Sequence, residues 1–190
     1  MTLNLAICDT FDSNLNQWPI GEYEYSDFYE SYNLSNGEYI WQLNCRNNKD
    51  GCYSVTYPNN LEQITDFFVA VDLVRVDGPI NLEYGIVFRD DGINDYEFMV
   101  TDTKKFSVYL WKDNEFLWLS DGPAPMLKPG EVNRLSVQAS GTRLTFYINN
   151  ETVAELEDDG LAIGVVGFAA YFYVSGEAIL HADNFELRLP

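Results

Sequence analysis

The sequence predicts an all-β fold, an antiparallel β-sandwich, and three observations predict it. Apolar and polar residues alternate through run after run, as half-buried strands require. Clusters rich in Gly, Asp, Asn and Pro separate the runs, mostly at intervals of about ten residues. Tyr and Phe dominate the aromatic set, 13 and 12 against 4 Trp in 190 residues, a bias that suits strands better than helices.

The elements follow in chain order. "GEYEYSDFYESY" (Gly21–Tyr32) alternates acid with aromatic, which reads as an edge strand protected by its acids or as an aromatic surface. Trp18 and Trp41 are expected in the core. Cys45 and Cys52 bracket "RNNKDG" between two strand-like runs, so a disulfide is expected across the base of that hairpin, provided the two Cβ atoms face each other. Such a bond implies an oxidising compartment. Cys8 is left over, to be buried or to pair outside this sequence. "NNLEQITD" (Asn59–Asp66) has room for one helical turn. Beyond it, "FFVAVDLVRV" places Phe67, Val69, Val71 and Leu73 on one face, and "LEYGIVF" does the same with Leu82, Tyr84, Ile86 and Phe88. "RLSVQA" offers Leu135, Val137 and Ala139, and "LTFYI" offers Leu144, Phe146 and Ile148. "GFAAYFYV" and "ILHADNFELRL" close the chain in the same style. So many strands pack most readily as two antiparallel sheets face to face, and a jelly roll buries them without a long open edge.

With 46% hydrophobic residues and no linker or repeat, residues 1–190 read as one β-sandwich domain. The formal net charge of −19 repels phosphate backbones and anionic membrane surfaces. Nucleic acid is therefore excluded as a partner. No apolar run is long enough for a membrane helix, which excludes membrane insertion. No signal peptide is visible, and the first strand lies close to the start. The sequence thus reads as a domain from a longer secreted or surface protein, extracellular or cell-surface in location. Acid of this amount keeps such a domain in solution, and it is compatible with neutral sugars or calcium.

The stretch "YGIVFRDDGINDYEFMV" (Tyr84–Val100) concentrates the functional question. Its acids lack the twelve-residue frame and closing Glu of a calcium loop. Its flanks alternate as paired strands. Asp90-Asp91-Gly92 is therefore read as a hairpin turn, Phe88 and Phe98 as core, and Arg89 and Tyr96 as outward neighbours of the acids. The only histidine, His181, lies in the last strand among structural neighbours, which leaves a Ser-His-Asp device little to build on.

"CDTFDSNLNQW", "YGIVFRDDGINDYEFMV", "GEVNRLSVQASGTRLTFYINNETVAELEDDGLAIGVVGFAAY" and "HADNFELR" together resemble the concanavalin A-like lectin/glucanase jelly rolls. The subgroup in view includes laminin-G-like modules, the sugar-hydrolase-related domain of unknown function, and levan-binding modules of fructan hydrolases. The resemblance covers nearly the whole chain. It departs at Val132, where the family often has Trp, and at Asn149-Asn150, which replaces an Asn-Gly turn; both departures read as structural. Glucanases of this fold use Glu-x-Asp-x-x-Glu on one strand, where alternate carboxylates face the sugar together. The nearest string here, "EDDGLA" (Glu157–Ala162), has Ala at the last position and sits at a turn, so the chain is not expected to be an enzyme. The resemblance also implies a structural calcium between first and last strands, held by Asp9 or Asp12 with Asp183, while no cofactor is required.

The function expected is a non-catalytic carbohydrate-binding module, bacterial in style, monomeric or attached to other domains, with a polysaccharide or oligosaccharide as partner. Arg89, Asp91, Asp95 and Tyr96 on one hairpin and Trp111 and Trp118 on the next are its candidate ligand contacts. The last two serve equally well as a cross-strand packing pair. An extracellular protein-interaction or adhesion domain of laminin-G-like type is the alternative, and a glycoside hydrolase the second.

Overall fold

The computed structural model describes residues 3–47 and 51–190. Its strands are β1 (Asn4–Asp9), β2 (Gly21–Glu24), β3 (Phe28–Ser35), β4 (Glu38–Cys45) and β5 (Cys52–Thr56). Next come β6 (Phe67–Asp77), β7 (Glu83–Asp90), β8 (Asp95–Thr101), β9 (Lys105–Lys112) and β10 (Glu115–Pro123). The chain ends with β11 (Asn133–Ser140), β12 (Arg143–Ile148), β13 (Glu151–Glu157), β14 (Val165–Phe172) and β15 (Gly176–Leu189). One sheet has nine strands in the order β13-β12-β11-β6-β15-β4-β3-β2, with β1 on the C-terminal half of β15. The other has six, in the order β10-β9-β8-β7-β14-β5. Among the described residues there is no helix, so none is long and apolar enough to cross a membrane. Asn59–Asp66 forms no helical turn. Its Ile64 instead bridges Gly164, amide to carbonyl in both directions at 2.9 and 3.2 Å.

The alternation of the sequence becomes the two faces of each strand. Phe67, Val69, Val71 and Leu73 on β6, and Tyr84, Ile86 and Phe88 on β7, are all buried between the sheets. Phe98 of β8 meets Phe146 of β12 with ring centroids 5.1 Å apart, and Phe88 meets Phe146 at 6.0 Å, which ties one sheet to the other. Each such ring contributes about 1.5–3 kcal/mol by leaving water. Trp18 stacks on Phe168 at 4.6 Å and meets Phe185 edge-on at 5.1 Å. Its indole N–H and the Asn16 amide both donate to Asp9 Oδ2, at 2.9 and 3.0 Å. Trp41 is also buried. Cys45 and Cys52 are joined by a disulfide at the β4–β5 junction, and Cys8 is a free, exposed thiol. The Asn149-Asn150 turn holds with both residues at positive φ, 51° and 67°, where Asn is tolerated. Asn149 also receives the Arg134 amide and donates to the Met126 carbonyl.

One irregularity positions the site. Val165 pairs with Asp90 but Val166 pairs with Phe88, so Arg89 is an extra residue, at φ 50°. This is a β-bulge. It returns Asp90 to the outer face of the six-stranded sheet, where unbroken alternation would turn it inward. Gly164 faces the bulge, and a Cβ there would lie 2.2 Å from the Arg89 carbonyl carbon.

Candidate functional site

The six-stranded sheet buries apolar side chains on both faces. Its outer side carries a second small cluster of Val87, Met99, Tyr109 and Ala169. Over this floor lies a groove of about 850 Å3. Tyr171 of β14 and neighbouring Tyr173, ring centroids 4.8 Å apart, line it together with Tyr53 and Tyr57 at the β5 edge. Trp111, Phe116 and Trp118 of the β9–β10 hairpin line it on the other side. Strand pairing sets Phe116 opposite Trp111 and Trp118 opposite Tyr109, so Trp111 and Trp118 are not cross-strand partners of each other. The type of turn fixes that register: Asp113 and Asn114, at φ 54° and 67°, close a two-residue loop. Trp118 remains 57% exposed, with its indole N–H bonded to Asp121 at 3.1 Å.

Four carboxylates enter the groove from β7 and β8: Glu83, Asp90, Asp95 and Glu97. Glu83 accepts the Tyr109 hydroxyl at 2.8 Å, and Asp90 accepts the Tyr57 hydroxyl and the Gly92 amide. Asp95 and Glu97, two residues apart on one strand, face the same side, near enough for each carboxyl to affect the other. Burial, and then the charge of Asp90, push the Asp95 carboxyl up to about 7. Burial, and then the charge of Asp95, push Glu97 up to about 8, against the pull of the Tyr53 hydroxyl. Asp95 is only 7% exposed, and its Oδ1 receives no hydrogen bond among the described residues.

Of the residues expected from sequence, Asp95, Trp111 and Trp118 line the groove. Arg89 does not. It is 1% exposed and donates to the carbonyls of Leu161, Thr65 and Gly141 at 2.8, 3.1 and 2.7 Å. The bulge has turned it inward. Tyr96 is fully buried, stacks on Phe88 at 5.1 Å, and donates its hydroxyl to Asp158. As the residue between Asp95 and Glu97 it faces the core by simple alternation. Asp91 shapes the turn, accepting the amides of Ile93 and Asn94 at 2.9 and 2.8 Å, and the Asn94 side chain and amide hold its carboxyl below the usual range. His181 is spent on Glu38 at 2.9 Å.

The residues expected at a calcium site each have a partner within the fold. Asp9 holds Trp18, Asn16 and the Phe11 amide. Asp12 accepts the Thr10 hydroxyl, and Asp183 accepts the amide and side chain of its own neighbour Asn184. Among the described residues no three His, Cys, Asp or Glu side chains are placed to hold a metal, whereas calcium takes about 6–8 oxygens.

Neither a protein-family model nor a curated protein sequence matches the chain. Solved structures do. The catalytic domain of an endo-1,3-β-glucanase (laminarinase) from Thermotoga petrophila superposes with a TM-score of 0.66 at 8% identity, over 99% of this chain and 98% of that one. The fold is the concanavalin A-like jelly roll. A protein of unknown function with a galectin-like fold from Bacillus subtilis shares this jelly roll at TM-score 0.64 and 14% identity, over 98% and 97% of the two chains. The carbohydrate-binding module CBM66 from Bacillus subtilis shares it at 0.62 and 18% identity, over 76% and 84%.

Glu83 and Glu97, with Phe116, Tyr171 and Tyr173, are not among the residues expected from sequence, and Asp90, expected in the hairpin turn, is instead the last residue of β7 and lines the groove. The signal was present. In "LEYGIVF" and "DYEFMV" the residues opposite the core set include Glu83, Asp95 and Glu97. Reading the outward half of each alternation collects the groove.

Proposed function

We propose that this chain is a non-catalytic carbohydrate-binding module, and that the outer groove of the six-stranded sheet is its site. The observation that supports this is an aromatic-walled groove with acceptor groups at its floor. Exposed rings stack on the apolar faces of sugars, and carboxylates receive their hydroxyls. The Glu-x-Asp-x-x-Glu strand motif with which glucanases of this fold bring alternate carboxylates onto the sugar is absent from the sequence. The likeness in fold to a carbohydrate-binding module agrees with this reading. The disulfide suits an extracellular or cell-surface location.

Affinity electrophoresis and calorimetry over a panel of plant and microbial polysaccharides test it. We expect retardation by at least one glycan and about tenfold weaker binding in Trp118→Ala, equal to about 1.4 kcal/mol. A panel without retardation counts against the proposal. EDTA is expected to leave binding unchanged, because the acids nearest a calcium site are already engaged. Loss of binding on chelation, with recovery on added calcium, would contradict that.

A further inference from the structure

The charge of the groove points to a narrower class of ligand. Among the described residues, every charged side chain that lines it is acidic, and no Lys, Arg or His is among them. The nearby cations are used elsewhere: Arg89 on interior carbonyls, Lys112 on the Gly160 carbonyl at 3.0 Å. Among the described residues, the charged groups of the groove are therefore acceptors only. Glu83 already receives the Tyr109 hydroxyl, Asp90 receives Tyr57 and Gly92, and the Tyr53 hydroxyl faces Glu97. Asp95 and Glu97 share one face of β8, and among the described residues Asp95 Oδ1 is buried without a donor. A neutral sugar hydroxyl brings one donor and no charge to such a place. An ammonium group brings three donors and a positive charge. The surrounding aromatic faces attract a cation as well as an apolar ring.

We propose that the groove selects sugars bearing a protonated amine, with a hexosamine ammonium seated on Asp95 and Glu97 and its pyranose ring stacked on the aromatic wall. This rests on the carbohydrate-binding reading above. It adds that the free amine, rather than the sugar hydroxyls, dominates recognition.

Calorimetry of the whole chain at physiological salt with three tetrasaccharides tests the proposal: the glucosamine oligomer, its fully N-acetylated counterpart, and the neutral glucose oligomer of the same linkage. The glucosamine oligomer is expected to bind at least about tenfold tighter than either of the others, with tetramethylammonium chloride as a competitor. Asp95→Asn and Trp118→Ala are each expected to lose that preference or the binding itself. Glu155→Gln, on the exposed β13 edge far from the groove, is expected to keep both. Trp118 is exposed, so its variant tests the groove without burdening the fold. Equal or tighter binding of a neutral oligomer overturns the amine preference and leaves the carbohydrate-binding reading standing. Amine binding that survives both groove variants also overturns it, as attraction to the acidic surface at large. Binding to no glycan, in this set or the wider panel, overturns both.

Discussion

Asp95 and Glu97 are the residues at which chemistry and stability meet. Their ordinary values are 3.8 and 4.5; burial, then the charge of Asp90, raises Asp95 to about 7, and burial, then the charge of Asp95, raises Glu97 to about 8. The folded chain therefore holds more protons than the unfolded chain between about pH 4 and about pH 8. The stability this pair contributes is fully present below the unfolded values and is lost as pH rises through the folded ones. Glu97→Gln removes one of the two charges and gives Asp95 an amide donor. We expect the variant to be more stable than the parent at pH 8, on the order of 1–3 kcal/mol, with the gain shrinking toward pH 5. Urea denaturation at both pH values measures it, and a gain that does not depend on pH would sink the account.

At the scale of elements, the same hairpin shows what the sequence made legible. Period-two alternation sufficed for β6, β7, β11 and β12, whose inward residues are those read from the pattern. It also placed Phe88 and Phe98 inward. Arg89 was misplaced because a bulge adds a residue without any mark in the local pattern, and the carbonyls that hold Arg89 come from distant loops. Tyr96 was misplaced differently. The alternation that put Phe98 inward also puts Tyr96 inward, but its closeness to the acids outweighed that. The Trp111 and Trp118 register depended on the turn residues Asp113 and Asn114. The acids of the groove were legible one strand at a time, but their convergence was not, because it depends on which strands are neighbours. The β4–β5 junction gives another prediction at this scale. Replacing Cys45 and Cys52 with Ser is expected to cost about 2–3 kcal/mol by lengthening the free loop of the unfolded chain. Tyr53 follows Cys52 into the groove, so glycan affinity should fall with it. Thermal unfolding and calorimetry of the double variant check both, and unchanged affinity would separate the disulfide from the site.

Over the whole molecule, the two sheets divide their tasks. The nine-stranded sheet has its outer strands β2 and β13 bordered by Glu22, Glu24, Glu151, Glu155 and Glu157, charges that discourage edge-to-edge pairing. The six-stranded sheet leaves apolar side chains exposed at β10, including Phe116, Leu117 and Trp118, next to the groove. Exposed apolar area of this kind marks a contact surface. The net charge of −19 would repel acidic glycans from it and favour neutral or cationic ones.

The Arg89 bulge has a consequence in time as well as in space. One guanidinium joins the segments around Thr65, Gly141 and Leu161, which are far apart in the chain. These segments should therefore open together rather than one by one. In hydrogen exchange, their amides are expected to share one opening free energy in the native protein. Arg89→Met should cost at least about 2 kcal/mol and split them into independently fluctuating loops. At the same time the amides of β8 and β9, which floor the groove, should keep most of their protection. A single knot at the end of the sandwich would thus set the slowest local motion of the fold.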